Sequence, residues 1–325
     1  MKYLSVKGLD KKVSQIVLGT AWFGLDRNAE HDGIFGLMDL YVELGGNAID
    51  TGRFYGAGRS EGVVARWLEK SGMHDRLVLI DKACHHYVDE DNVHHTKENR
   101  VRPELITEDL NYSLENMKVA YFDIYLLHRD NPEEPVEGLI DRLERHRQEG
   151  KIKTYGVSNW SLERLEQAQN YAIRKGYQGI SVNNPSYSLA KVQKPRWHGC
   201  VYADDAYALW HADKDISLFS WAPQAAGFFA DIYKRDGSTP QDVADAYFSD
   251  ENFEKLTRVK MLARERADGT EPINVALAYV LSQSFPVAAV VGPRSTDELK
   301  SNVHSLDVHL SPREIEWLAL RSDAK

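Results

Sequence analysis

Eight short strand-like runs alternate with longer amphipathic ones from near the N-terminus almost to the end of the chain, and few architectures accept that alternation. The runs lie at 16–19, 47–50, 77–82, 122–128, 154–158, 180–184, 216–221 and 287–292. Between them, sets such as Val136, Leu139, Ile140 and Leu143 recur at helical spacing, which turns one apolar stripe of a helix toward a sheet. A doubly wound sheet would carry a glycine-rich phosphate loop after an early strand, yet neither GxGxxG nor GxxxxGK[ST] occurs. Gly56, Gly58 and Gly62 come nearest, with Glu61 where the last glycine should stand. The pattern therefore predicts an α/β chain: one (β/α)8 TIM barrel domain over residues 1–325. A β-hairpin about Gly8 precedes the first barrel strand and would plug the barrel's lower end. Ser311-Pro312-Arg313-Glu314 combines an N-cap, a first-turn proline and a capping glutamate, so a C-terminal extra helix starts there.

Charge and composition narrow the partners. A net charge of −9 disfavours nucleic acid and anionic membrane surfaces, which are held by clustered basic side chains. Only Cys84 and Cys200 are present, too few for a disulfide framework, and the N-terminal residues lack the apolar core of a signal peptide. No run approaches the roughly 18 apolar residues of a membrane-spanning helix. A cytoplasmic protein is expected, with an oligomeric state the residues do not reveal. Two connections, 83–103 with its four histidines and 223–271, exceed the usual loop length and point to function.

The polar residues fall in one kind of place. In a barrel of this type the carboxyl ends of the strands form the active-site face. Here those ends carry Asp50, Lys82, His128, Ser158-Asn159, Asn183-Asn184 and Trp221, each after an apolar run, and Tyr55 follows Asp50 by five residues. Asp50, Lys82 and His128 from adjacent strands would meet Tyr55 at the barrel mouth. That grouping suits carbonyl reduction, in which negative charge grows on oxygen and needs a proton donor within hydrogen-bond reach. A phenol with pKa near 10 is a poor proton donor at neutral pH, but an adjacent ammonium lowers it. Lys82 would supply that charge and Asp50 would balance it.

The same residues resemble the aldo-keto reductase family. NAIDTGRFYGAGRSE is similar to the segment around the family's Asp and Tyr, LVLIDK to its lysine strand and DIYLLH to its histidine strand. YGVSNW resembles its fifth-strand Ser-Asn motif, SWAPQAAGFF its seventh-strand aromatic and following loop, and VVGPRSTDELKSN its adenosine-phosphate segment. The likeness runs in order from about Val13 to Leu318.

It implies a catalytic set of Asp50, Tyr55, Lys82 and His128, with Tyr55 as general acid. It also implies NADPH as cofactor, with NADH as the alternative. The nicotinamide would be held by Ser158, Asn159, Asn184 (where the family commonly has Gln) and Trp221 (where it usually has Tyr). Gly292, Arg294, Ser295 and Asn302 would hold the adenosine phosphate, a guanidinium favouring the 2′-phosphate. The partner is a small carbonyl compound, and Trp22, Tyr87 and Trp160 are candidate walls of its pocket.

Two other readings stay open. One is a regulatory or binding subunit that keeps the fold and a bound nucleotide. The other is a metal-assisted hydrolase or isomerase using His85, His86, His128 and Asp50. No metal is expected: the spacing of His85-His86 and His94-His95 matches no standard site, and adjacent histidines on an extended segment should point apart.

Overall fold

The computed structural model describes residues 1–26, 31–266 and 268–325. An antiparallel hairpin of β1 (Tyr3–Leu4) and β2 (Val13–Ser14) comes first, turning with Gly8 at φ +85°. The strands that follow are β3 (Ile16–Gly19), β4 (Ala48–Asp50), β5 (Val78–Ala83), β6 (Tyr87–Val88), β7 (His94–His95) and β8 (Phe122–Leu127). The last four are β9 (Ile152–Ser158), β10 (Val182–Asn184), β11 (Ser217–Trp221) and β12 (Val287–Val291). All but β1, β2, β6 and β7 pair in parallel and close a barrel in the order β10-β11-β12-β3-β4-β5-β8-β9. These eight barrel strands are the eight expected, with ends shifted by no more than two residues.

The twofold repeat of a strand sorts the side chains. Val17, Ala48, Val78, Ile80, Ile124, Leu126, Val182 and Phe219 fill the barrel interior, joined by Val6 and Val13 of the hairpin. The hairpin therefore does plug the end where the strands begin, and Lys11 pins it there by an ion pair to Asp123 at 2.9 Å. Gly156 is required inside: a Cβ there would lie 2.1 Å from the Val182 carbonyl oxygen. Alternate residues such as Leu79, Tyr125 and Val157 face outward into the layer between strands and helices. Continuing the inward series one step brings Asp50, Lys82 and His128 to the opposite, carboxyl end.

The two long connections are less irregular than expected. The first folds back as the hairpin of β6 and β7, Tyr87 pairing with His95. The second contains helices at Gln241–Tyr247 and Asp250–Glu265, the longer one N-capped by the Ser249 hydroxyl. The extra helix, Pro312–Leu318, has the expected reciprocal capping of Ser311 and Glu314 and buries Trp317 and Leu318. No helix among the described residues is long and apolar enough to cross a membrane.

Candidate active site

Lys82, 2% exposed, organises the barrel mouth. Its ammonium donates to Asp50 Oδ2 at 2.6 Å, to the Thr51 carbonyl at 2.8 Å and to the Tyr55 hydroxyl at 3.1 Å. An ammonium has three N–H donors and no acceptor, so all three are engaged. The Tyr55 oxygen accepts one of them, which leaves its own proton to point elsewhere. Tyr55 lines a cavity of about 370 Å³, together with Asp50 and His128. The turn that carries it, Tyr55–Gly58, runs through left-handed backbone at Gly56, Ala57 and Gly58. Gly56 permits this close packing: a Cβ would sit 2.7 Å from the Gly24 carbonyl oxygen. Ala57 adopts the same conformation without glycine's freedom, so strain is stored two residues beyond Tyr55.

Burial raises the Tyr55 phenol above its ordinary value; Lys82 and Arg129 pull it down without reversing the shift. This corrects the expectation of an acidified phenol. Proximity of the cation is as foreseen, but desolvation of the phenolate outweighs it. Burial pulls Lys82 down, and Asp50 and Tyr55 more than offset that, keeping it an ammonium. His128 meets the Tyr55 ring edge-on, centroids 5.4 Å apart. Burial, then the neighbouring His85, Arg129 and Lys82, hold its imidazole well below the usual range, so it is neutral at pH 7. Its backbone N–H is fixed on the Ala83 carbonyl at 2.8 Å.

The other predicted residues divide. Ser158, Asn159, Asn184, Trp221, Gly292 and Trp22 line the cavity. Asn159, at φ +62°, uses its side chain entirely within the protein. Its Nδ2 donates to the His128 carbonyl and Ser158 Oγ, while its Oδ1 accepts from Val201 N and Trp221 Nε1, each at 3.0 or 3.1 Å. Asn184 donates to the Phe219 carbonyl, and its Oδ1 accepts no protein hydrogen bond among the described residues. Trp22 Nε1 is buried without a partner among the described residues.

Arg294 and Ser295 are exposed at the start of helix Thr296–His304. There the Glu298 carboxylate accepts the Arg294 backbone N–H at 2.8 Å, and Ser295 Oγ caps Glu298. Asn302 is buried on the same helix, away from the cavity lining.

Tyr87 and Trp160 are not pocket walls. Trp160 is fully buried, its indole N–H on the Arg129 carbonyl at 3.0 Å, because the chain after Asn159 turns into the outer layer. Tyr87 is 48% exposed on β6 and stands behind Phe54, which takes the wall position instead. Arg129, Trp197 and Cys200 also line the cavity unforeseen; the last two belong to an irregular segment without periodicity to read.

His85 and His86 do not point apart. Cys84 at φ +63° breaks the extended run, the two rings come within 3.7 Å, and the β6–β7 hairpin returns His94 against His86. Ligand atoms of His85, His86 and His94 lie within 4.8 Å of one another, a spacing that a metal ion could bridge. Both His85 ring nitrogens are engaged, however: Nδ1 donates to the His86 carbonyl and Nε2 accepts from Arg129 Nη2. A cation there would displace a guanidinium hydrogen bond.

A barrel with a Lys-paired tyrosine beside a neutral histidine at its carboxyl end defines a recognisable class. The chain matches the Aldo/keto reductase family over residues 15–319. It is 30% identical over 315 residues to the aldo-keto reductase YhdN of Bacillus subtilis (strain 168), covering 93% of this chain and 87% of that one. It is 23% identical over 310 residues to an aryl-alcohol dehydrogenase [NADP(+)] of Phanerodontia chrysosporium, covering 93% and 79%. The crystal structure of the thermostable aldo-keto reductase Tm1743 superposes with TM-score 0.74 at 18% identity, covering 99% of this chain and all of that one.

The chain belongs to the aldo/keto reductase family. It is an oxidoreductase acting on carbonyl groups, and the cofactors of that family are nicotinamide nucleotides.

Proposed function

We propose that the protein reduces an aldehyde or ketone with NADPH, Tyr55 serving as the proton donor. The observation that carries this is the saturation of Lys82: with its three donors fixed on Asp50, Thr51 and Tyr55, the phenol oxygen is an acceptor toward Lys82 and its proton is free for the cavity. When bound, the cofactor supplies hydride to the carbonyl carbon. The carbonyl oxygen then takes the Tyr55 proton, and the phenolate left behind faces the ammonium 3.1 Å away until solvent reprotonates it. A phenol raised by burial is protonated at neutral pH but gives up its proton only as negative charge grows on the carbonyl oxygen, and the Lys82 ammonium then meets the phenolate. Neutral His128 offers an N–H to the same oxygen and orients it. Asp50 holds Lys82 charged.

The residues suit a nicotinamide. Trp221 offers an aromatic face tethered through its N–H to Asn159, while Ser158 and Asn184 hold the polar positions beside it. Asn184, with an unengaged Oδ1, is the direct carboxamide partner in this reading, and Asn159 positions its neighbours. Arg294, exposed beside the helix N-terminus, selects the 2′-phosphate, and Glu298 moderates that choice because its carboxylate already occupies the Arg294 backbone N–H. Following NADPH and NADH absorbance with a panel of aldehydes and ketones tests reaction and coenzyme together; no carbonyl-dependent oxidation of either would overturn the proposal. Arg294→Ala should raise the Kd for NADPH about tenfold and leave that for NADH nearly unchanged. Equal effects would remove Arg294 from the phosphate site.

A further inference from the structure

Arg129 follows His128 at the end of β8 and lines the cavity. Among the described lining residues it is the only lysine or arginine, and the only carboxylate there, Asp50, is already paired with Lys82 at 2.6 Å. The carboxylate next to it in sequence, Asp130, is engaged by Arg164 at 3.1 Å. Among the described residues no carboxylate lies within ion-pair distance of the Arg129 guanidinium. Two of its N–H donors are used on neutral acceptors: Nη1 on the His128 carbonyl and Nη2 on His85 Nε2, each at 3.1 Å. His85 is itself fixed by Nδ1 on the His86 carbonyl at 2.9 Å, so the guanidinium is held from two sides. Three of the five donors of a planar fork that matches a carboxylate have no partner among the described residues.

A cation among apolar walls is costly to desolvate unless a counter-charge meets it. Four large aromatic side chains stand among the walls here: Trp22, Phe54, Trp197 and Trp221. The phosphates of a dinucleotide are not the counter-charge in the reading above. The segment after β12 takes them, and β8 lies four strands away from β12 in a closed ring of eight, on the opposite side.

We propose that Arg129 is a subsite for an anionic oxygen group of the substrate, so that the preferred carbonyl compounds carry a carboxylate on a flat, apolar or aromatic body. This rests on the carbonyl-reductase reading of the same cavity. Burial first, and then Arg129, lowers the His85, His86 and His94 imidazoles, which keeps that wall uncharged rather than adding a second, pH-dependent cation.

The test compares the three positional isomers of formylbenzoate with their methyl esters, using NADPH and the full-length protein. In the wild type, kcat/KM for at least one isomer should exceed that of its ester by about 30-fold or more, as for a desolvated charge pair. The ratio should fall close to unity in Arg129→Met and stay intermediate in Arg129→Lys. Because both members of a pair meet the same His128, the ratio cancels any displacement of that residue. An unchanged ratio in Arg129→Met, or esters preferred throughout, would overturn the subsite. Binding of 2-naphthoate against 2-naphthamide, read by quenching of tryptophan fluorescence, needs no turnover. Tighter naphthoate binding that Arg129→Met abolishes supports the subsite even if no aldehyde is reduced, in which case the reductase reading alone fails. Equal Kd values for the two probes in the wild type would overturn it.

Discussion

Two neighbours on β5 face opposite ways and meet opposite company. Lys82 points into the barrel mouth and joins Asp50, a carboxylate with a counter-charge at 2.6 Å. Asp81 points outward against Glu61 of helix Arg59–Ser71, one buried acid against another. Burial raises both Asp50 and Asp81, but only Asp81 is raised further by a like charge. Glu61 is satisfied by Ser113 and Asn116, each at 2.7 Å, while no well-aligned hydrogen bond from the described residues reaches either Asp81 oxygen, and the nearby Lys82 backbone N–H and Ser113 hydroxyl only partly offset its burial. The inner pair is arranged to remain ionised beside Tyr55. The outer pair is arranged to hold a proton. Alternation along a single strand thus separates a reactive site from a structural one by about 3 Å of chain.

The largest effect is expected from breaking the inner pair. Lys82→Met leaves Asp50 buried without a cation and Tyr55 without its donor, so carbonyl reduction should be lost and stability should fall by about 3–5 kcal/mol at pH 7. The deficit should shrink as the pH is lowered and Asp50 takes up a proton. Urea unfolding of wild type and variant at pH 7 and pH 5 measures both, and a variant as stable as wild type at pH 7 would contradict a charge pair.

Next comes Tyr55→Phe, which removes the proton donor and little volume. Turnover should fall about 10³-fold, with cofactor Kd nearly intact. Retained turnover would end the assignment of Tyr55 as the acid.

The pH profile sharpens the same point. Reduction needs the protonated phenol, whose folded pKa is raised, so kcat/KM should hold through neutral pH and decline only above the ordinary phenol range of about 10. A decline centred below pH 8 would mean that the ammonium, not burial, sets the phenol.

The smallest effect belongs to the outer pair. A carboxyl with a raised folded pKa stabilises the fold fully below the ordinary carboxylate range, and that contribution is lost as pH rises through the folded value. Asp81→Asn should therefore match wild type near pH 4 and be about 1 kcal/mol more stable at pH 8, with reduction unchanged. A variant less stable at pH 8 would show that the ionised Asp81 has a partner after all.

Much was legible before the fold because barrel strands repeat with period two and end in solvent. An apolar run closing on Asp50, Lys82 or His128 declares both the strand and the inward direction of its last side chain. Arg129 follows such an end without any periodic signal of its own, because what sets it apart is that no carboxylate among the described residues lies within ion-pair distance. Trp160 and Tyr87 leave the pocket because they follow residues with left-handed backbone, Asn159 at φ +62° and Cys84 at φ +63°, where periodicity stops reporting direction. The same break at Cys84 brings His85 and His86 together.

Sequence alone determined the barrel, its plug and which polar groups reach its mouth, since these follow from local periodicity and from residue type at strand ends. Only the tertiary structure decided the sign of the Tyr55 shift, the full engagement of Asn159 and the lack of a carboxylate beside Arg129 among the described residues. Each depends on how many groups from distant strands crowd one volume from which water has been removed, and a linear order of residues does not encode that sum.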